Sequence, residues 1–374
     1  MKALLSRAGP PPRRLSGGVV AAGLLMALAA CVSHTTTPYR VDVMGGLSRA
    51  EPSPVRPPGP RLNVIELAGG VAGSHYVLNL YRPNPCGGSG APELGALAYI
   101  SGAPGPKRWV VVLPIWGSST YPPRKLVTWL TRGQEGIETN VLWVQDPKRA
   151  NLIDFPALEE APTPEEFLTV LSRSAACIGA AADDVRGWMD WVLHQPGADP
   201  RRVGIVGCSI GAIVGSLAMG RDGRFGAGVF AMGGGHLDEI LSECYGAEAD
   251  VRRHAAEAFG WSQEDFRREV AGPLAMVDPV AVAGNIDPAD VLFIDAGKDS
   301  CIPASSRDDL WEAMGRPERV TLGYNHKTSF LSMTFLGLDE TTRRMVRFLD
   351  SHLNAAPVPS AAGAGTAAAQ AKAE

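Results

Sequence analysis

Val203-Gly204-Ile205-Val206-Gly207-Cys208-Ser209-Ile210-Gly211-Ala212 reads as an apolar strand that turns sharply at a serine and runs on into a helix of small residues. Glycine stands two residues before and two residues after the serine. In so tight a strand-to-helix turn a Cβ at either place would collide with the folded-back chain. The serine backbone is expected to be strained and its hydroxyl to point outward. Residues 203–220 carry no charge over 18 positions, a length that also suits a membrane helix. Gly204, Gly207, Gly211 and Gly215, with Ser209 and Ser216, fit a buried strand, a turn and a close-packed helix instead.

Around this segment the chain has 374 residues, 45% hydrophobic and 20% charged, which suits one large α/β domain. Strand-like runs stand at residues 62–67, 75–81, 96–101, 109–113 and 141–144. Residues 164–194 are long enough for one or two helices, with Trp188 and Trp191 on one face beside Val185. Two more buried strands are expected at 227–232 and 291–295, and a short one at 320–322. Strands alternating with helices predict a mostly parallel central sheet covered on both faces. Residues 236–290, rich in charges and helix formers, read as a helical insertion within a domain spanning 61–354. Residues 355–374 are almost wholly Ala, Gly, Pro and Ser, the composition of a disordered tail.

At the amino terminus, residues 1–30 hold Lys2, Arg7, Arg13 and Arg14, no acid, and an apolar run over 19–30. This is the pattern of a secretion signal. It closes on Leu28-Ala29-Ala30-Cys31, which resembles the lipobox of bacterial lipoproteins, and that resemblance implies lipidation at Cys31 and a membrane anchor. A cleaved signal without lipid would leave Cys31 incidental. Residues 31–60, with five prolines between Pro52 and Pro60, read as a tether. Removing the signal takes away four positive charges, and the mildly acidic remainder gives no support for nucleic-acid binding. Export to a cell envelope would let Cys86, Cys177, Cys208, Cys244 and Cys301 oxidise. Five is odd, and Cys208, on a buried turn, is the expected free thiol; the pairing of the others is not readable from sequence.

A serine hydroxyl needs a base to take its proton, a carboxylate to orient the base, and donors for the oxyanion. Val291-Leu292-Phe293-Ile294-Asp295-Ala296-Gly297-Lys298-Asp299 reads as a buried strand, a glycine turn and an acid. Gly323-Tyr324-Asn325-His326 then places a histidine in a loop after the last short strand. The serine turn, the acid loop and the histidine loop together resemble the α/β-hydrolase superfamily over residues 61–354. Within it, Asp183-Asp184-Val185 and the run from Asp199-Pro200-Arg201-Arg202-Val203 to the serine look like the dienelactone-hydrolase and acyl-peptidase branch. The resemblance implies an α/β-hydrolase fold, Ser209 as nucleophile, His326 as base and Asp299 as its orienter, with Asp295 the alternative acid. It implies oxyanion donors at Ile210 and in the loop Pro114-Ile115-Trp116-Gly117-Ser118, where Trp116 stands in place of the family's frequent histidine and Ser118 or Trp116 would supply the amide.

The expected function is therefore an exported, membrane-anchored serine hydrolase acting on small-molecule carboxylic esters. A peptide or thioester bond would be served by the same residues, and an envelope protein could retain the scaffold for binding alone. No metal or organic cofactor is expected, because no His, Cys and carboxylate spacing suits zinc and no glycine-rich phosphate loop is present. Among the other histidines, His352 is expected to be solvated, and His236 to line the cleft.

Overall fold

The computed structural model describes residues 34–40, 62–84, 86, 91–103, 107–115, 123–132, 139–145, 152–334 and 339–354. The signal segment, Cys31, Trp116, Ser118 and residues 355–374 lie outside them. Ten strands form one sheet: β1 (Thr35–Thr37), β2 (Ile65–Ala72), β3 (His75–Pro83), β4 (Pro92–Ser101), β5 (Lys107–Val112), β6 (Thr139–Val144), β7 (Ala198–Cys208), β8 (Ala227–Ala231), β9 (Val291–Ala296) and β10 (Glu318–Leu322). Their order across the sheet is β1-β10-β9-β8-β7-β5-β6-β4-β3-β2. The six from β10 to β6 run parallel. The flanks β1 and β4–β3–β2 are antiparallel.

The helices are α1 (Pro123–Thr131), α2 (Phe155–Glu159), α3 (Pro164–Leu193), α4 (Ile210–Arg221), α5 (Leu237–Glu243), α6 (Ala247–Phe259), α7 (Gln263–Ala275), α8 (Val280–Ala283), α9 (Ala304–Ala313), α10 (His326–Thr334) and α11 (Asp339–Leu353). Side chains alternate between the two faces of a strand, so the packing of β7 and β8 shows which helices cover which face. A Cβ on Gly204 would meet Leu349 and Leu353 of α11, whereas one on Gly228 would meet Met219 of α4. In the parallel register Gly228 stands beside Ile205, not Gly204, so α11 and α4 cover opposite faces. Residues 164–193 form the single helix α3, with His194 as its C-cap; it buries Trp188 completely and brings Trp191 edge-on to Trp109 at 5.9 Å.

The uncharged run over 203–220 is the buried strand β7 followed by α4. No helix among the described residues is long and apolar enough to cross a membrane. Thr35–Thr37 correct the reading of 31–60 as a tether at these three residues: they pair antiparallel with Val320 and its neighbours at the edge of β10. Threonine is β-branched and suits a pleated edge, and the partner edge lies almost three hundred residues away in sequence. The insertion over 236–290 is helical, made of α5 to α8 and a short 3₁₀ turn at Pro288–Asp290, and α7 packs on α3. Two disulfides form, Cys86–Cys177 and Cys244–Cys301, and the buried Cys208 is free. Burial pushes the Cys208 thiol up to about 12.

The turn after β7 depends on its glycines. A Cβ at Gly207 would lie 2.0 Å from the carbonyl oxygen of Gly211, and one at Gly211 would lie 2.4 Å from that of Pro114. Both obstacles are backbone, which cannot swing aside as a side chain does. Around Gly223, by contrast, nothing lies within 4 Å of an added Cβ. Gly207→Ala is expected to lower stability by about 3 kcal/mol, and Gly223→Ala by no more than about 0.5 kcal/mol, in urea unfolding followed by circular dichroism. Equal losses for the two would contradict this account of the turn.

Candidate active site

Ser209 sits between β7 and α4 with φ 53° and ψ −124°, a region that residues with a side chain rarely occupy. Its amide donates to Ala231 at the end of β8 at 2.8 Å, which fixes the turn to the neighbouring strand. Its hydroxyl does not cap α4. Instead Oγ lies 3.1 Å from Nε2 of His326.

The histidine arrives from β10. Asn325 precedes it and caps α10, its side chain accepting from the Thr328 amide at 2.9 Å, a role that Asn favours. Phe330, one turn further along α10, meets the imidazole edge-on at 5.2 Å. The acid arrives from β9, and its loop is laced to the histidine loop by two backbone bonds. Gly297 donates to Leu322 at 2.7 Å and Lys298 to Tyr324 at 3.0 Å. These bonds continue the parallel pairing of β9 and β10 past the end of the sheet.

Asp299 Oδ2 lies 2.6 Å from Nδ1 of His326, and Oδ1 accepts from the amides of Cys301 at 2.8 Å and Ile302 at 2.9 Å. An ionised carboxylate only accepts, so Nδ1 carries the imidazole proton and Nε2 of the neutral ring is left to accept from the serine hydroxyl. Burial works to raise the Asp299 carboxyl. The hydrogen bond from His326, the electrostatic pull of the imidazole and the two amides outweigh burial and hold it below the usual carboxylate range.

Ile210 opens α4, where an amide has no acceptor within its own helix. The loop after β5 reaches the same turn, since Pro114 is the residue against which Gly211 packs. Asp295, the alternative acid, is not at the site: it is buried in β9 and paired with Arg319 at 2.6 Å, which reaches it from β10. Three other histidines have partners of their own. His75 Nε2 lies 2.9 Å from the Thr139 carbonyl, His254 Nε2 2.8 Å from that of Ala161, and His236 Nε2 3.1 Å from Asp309. His352 is half-buried rather than solvated, because it stacks on Phe348 at 4.0 Å and reaches the Ala289 carbonyl at 3.0 Å.

One group among the described residues has donor atoms near enough to hold a metal ion, His236, Asp238 and Asp278, all within 4.8 Å of one another. Each is already occupied. His236 pairs with Asp309, Asp238 with Arg267 at 3.0 Å, and Asp278 accepts from the amides of Leu237 and Val280.

The structure also brings to the site residues that the sequence reading did not single out. Cys301, beside Asp299, is bonded to Cys244 of the insertion. The Lys327 ammonium lies 4.6 Å from the ring centre of Tyr245. Burial raises the carboxyl of Glu248, in the first turn of α6. Phe330 was open to detection through its four-residue spacing from His326. The insertion residues carry no local signal, since their approach depends on how α5 and α6 pack.

No family model matches the chain, and no curated protein matches it in sequence. Among solved structures, it is similar to an acetyl xylan esterase from Paenibacillus sp., with a TM-score of 0.52 and 16% identity over 92% of this chain and 97% of that one. It is similar also to acetyl xylan esterase 1 from Thermoanaerobacterium sp., with a TM-score of 0.52 and 15% identity over 78% of this chain and 88% of the other. At these identities the likeness is one of fold.

The lowered Asp299 carboxyl has a consequence for stability. A carboxyl whose folded pKa lies below its unfolded value of about 3.9 adds stability above that pH and loses it as pH falls through the folded value. Asp299→Asn is expected to cost on the order of 2 kcal/mol at neutral pH. Urea unfolding should show this gap closing as pH falls from about 5 through the unfolded value and then through the lower folded one. A gap independent of pH would contradict the placement of the charge.

Proposed function

We propose that this chain, which has the α/β-hydrolase fold, is an exported hydrolase of carboxylic esters that works through an acyl-enzyme on Ser209. The observation that carries the reading is the continuous line of contacts from Ser209 Oγ to His326 Nε2 at 3.1 Å and from His326 Nδ1 to Asp299 at 2.6 Å. In this reading Oγ attacks the ester carbonyl carbon while His326 Nε2 takes its proton. Asp299 keeps the imidazole in the tautomer that makes this possible and stabilises the imidazolium once formed.

The tetrahedral oxyanion would meet the Ile210 amide at the positive end of α4, with a second donor from the loop where Trp116 and Ser118 stand. His326 then returns the proton to the departing alcohol. Water, deprotonated by the same nitrogen, attacks the acyl-enzyme and releases the acid. Each step uses groups of this chain alone. The small-molecule ester is the class of substrate this geometry suits.

Export and anchoring belong to the same proposal. They rest on the basic and apolar segment 1–30, on Leu28-Ala29-Ala30-Cys31 and on the two disulfides, which suit an oxidising compartment. The mature protein would face the periplasm or the exterior, tethered by a lipid on Cys31.

Ser209→Ala and His326→Ala are each expected to lower turnover of short p-nitrophenyl esters by on the order of 10⁴-fold, with the double variant hardly slower than either, because the two groups act as one unit. Additive losses of about tenfold would contradict the assigned roles. For the anchor, wild type is expected in the detergent phase and Cys31→Ala in the aqueous phase. Equal recovery of both in the aqueous phase would remove the lipid.

A further inference from the structure

The carboxylate of Asp299 is held by a loop of only seven residues between the end of β9 and the start of α9. One of them, Cys301, both donates its amide to Asp299 Oδ1 at 2.8 Å and is bonded through sulfur to Cys244. Cys244 is a fixed point. It follows α5 directly, is 2% exposed, donates its amide to Ile240 at 2.9 Å, and its carbonyl accepts from Arg252 Nη1 of α6 at 2.7 Å. The same guanidinium nitrogen binds the Leu241 carbonyl at 2.8 Å, so the α5–α6 corner is closed from both sides.

Tyr245, the next residue, lies under the ammonium of Lys327, and Lys327 adjoins His326. A cation over an aromatic face at this range is attractive. The corner is therefore tied to the acid loop by a covalent bond and to the histidine helix by a weaker contact. Asp299 and His326 are thus braced from a part of the chain that belongs to neither loop.

We propose that Cys244 and Cys301 are positioning residues, and that their disulfide keeps the Asp299 carboxylate in register with His326, so that reducing it uncouples this pair while the sheet stays folded. The amide of Cys301 is one of the three donors to Asp299. Freeing its side chain lets the short loop shift, and a displacement of about 1 Å at such a group is enough to cost about 100-fold in rate. A dithiol such as dithiothreitol supplies the two electrons and two protons, leaving two thiols in the protein and its own sulfurs joined in a ring. The other disulfide, Cys86–Cys177, joins the segment after β3 to α3 and is removed before reduction, so that the reductant acts on Cys244–Cys301 alone.

The inference rests on the ester-hydrolase reading for its kinetic readout but not for its spectroscopic one. In the Cys86→Ser/Cys177→Ser protein, dithiothreitol opens only Cys244–Cys301. The Cys244→Ser/Cys301→Ser double variant of the wild-type chain reaches the same state without a reductant. Three quantities are followed: the far-downfield proton resonance of the His326 Nδ1–H bonded to Asp299, kcat and KM on p-nitrophenyl acetate, and far-ultraviolet circular dichroism.

In both the reduced protein and the double variant, the resonance is expected to vanish and kcat to fall by about 30-fold or more. KM is expected to change by less than about twofold, circular dichroism to stay unchanged, and oxidised glutathione to restore the reduced protein. Retention of the resonance and of kcat with both sulfurs free would overturn the proposal. So would their loss together with the helical signal, which would assign the bond to global stability. An oxidised protein that hydrolyses no ester, yet loses the resonance on reduction, would count against the ester reading alone.

Discussion

The backbone of Ser209 is bent into a conformation that costs on the order of 1–3 kcal/mol, and the site exists only because the surroundings hold it there. Its φ of 53° follows from the change of direction between β7 and α4. Three features hold the bend: the bond from the Ser209 amide to Ala231, the approach of Gly211 to Gly207, and the approach of Pro114 to Gly211. The buried, uncharged body of α4 packs against β8 and anchors the far side of the turn. The strain has a chemical result. It presents the hydroxyl outward, unused by the helix, where a base from another part of the chain can reach it.

That base comes from elsewhere because the central strands are parallel. β7, β9 and β10 end at one edge of the sheet, so whatever follows each of them meets there, as open parallel sheets arrange their sites generally. Only β8 and β9 separate the serine's strand from the histidine's. The backbone bonds from Gly297 to Leu322 and from Lys298 to Tyr324 make the acid and histidine loops one unit before either side chain is considered. The Asp299 carboxylate then receives three donors, which hold its charge on while it holds the imidazole correctly turned. The arrangement suits acyl transfer because every proton has a stated place to go.

How much of this could be read in the sequence depends on how local each cause is. The turn at Ser209 is legible because the clash that demands Gly207 acts within five residues, whereas the one that demands Gly211 comes from Pro114, far off in the chain. The buried strands β7, β8 and β9 are legible as uninterrupted apolar runs. Asp299 and Asp295 are four residues apart and look alike as acids; what separates them is Arg319, which neutralises Asp295 from the next strand. The histidines pose the same difficulty, since His75 and His254 are occupied by carbonyls far off in the chain. Thr35–Thr37 have no apolar pattern and become a strand only because β10 offers an open edge. The partner of Cys301 is likewise invisible, because it is set by the packing of the α5–α6 corner.

Acyl transfer here needs a serine activated by one particular imidazole. Its most direct measurement is peptide mapping by mass spectrometry after brief exposure of the folded protein to a fluorophosphonate. A single phosphonylated residue at Ser209 is expected, with labelling abolished in His326→Ala and in the heat-denatured wild type. A reagent that settles on another residue, or that modifies Ser209 as fast in His326→Ala as in the wild type, would contradict it.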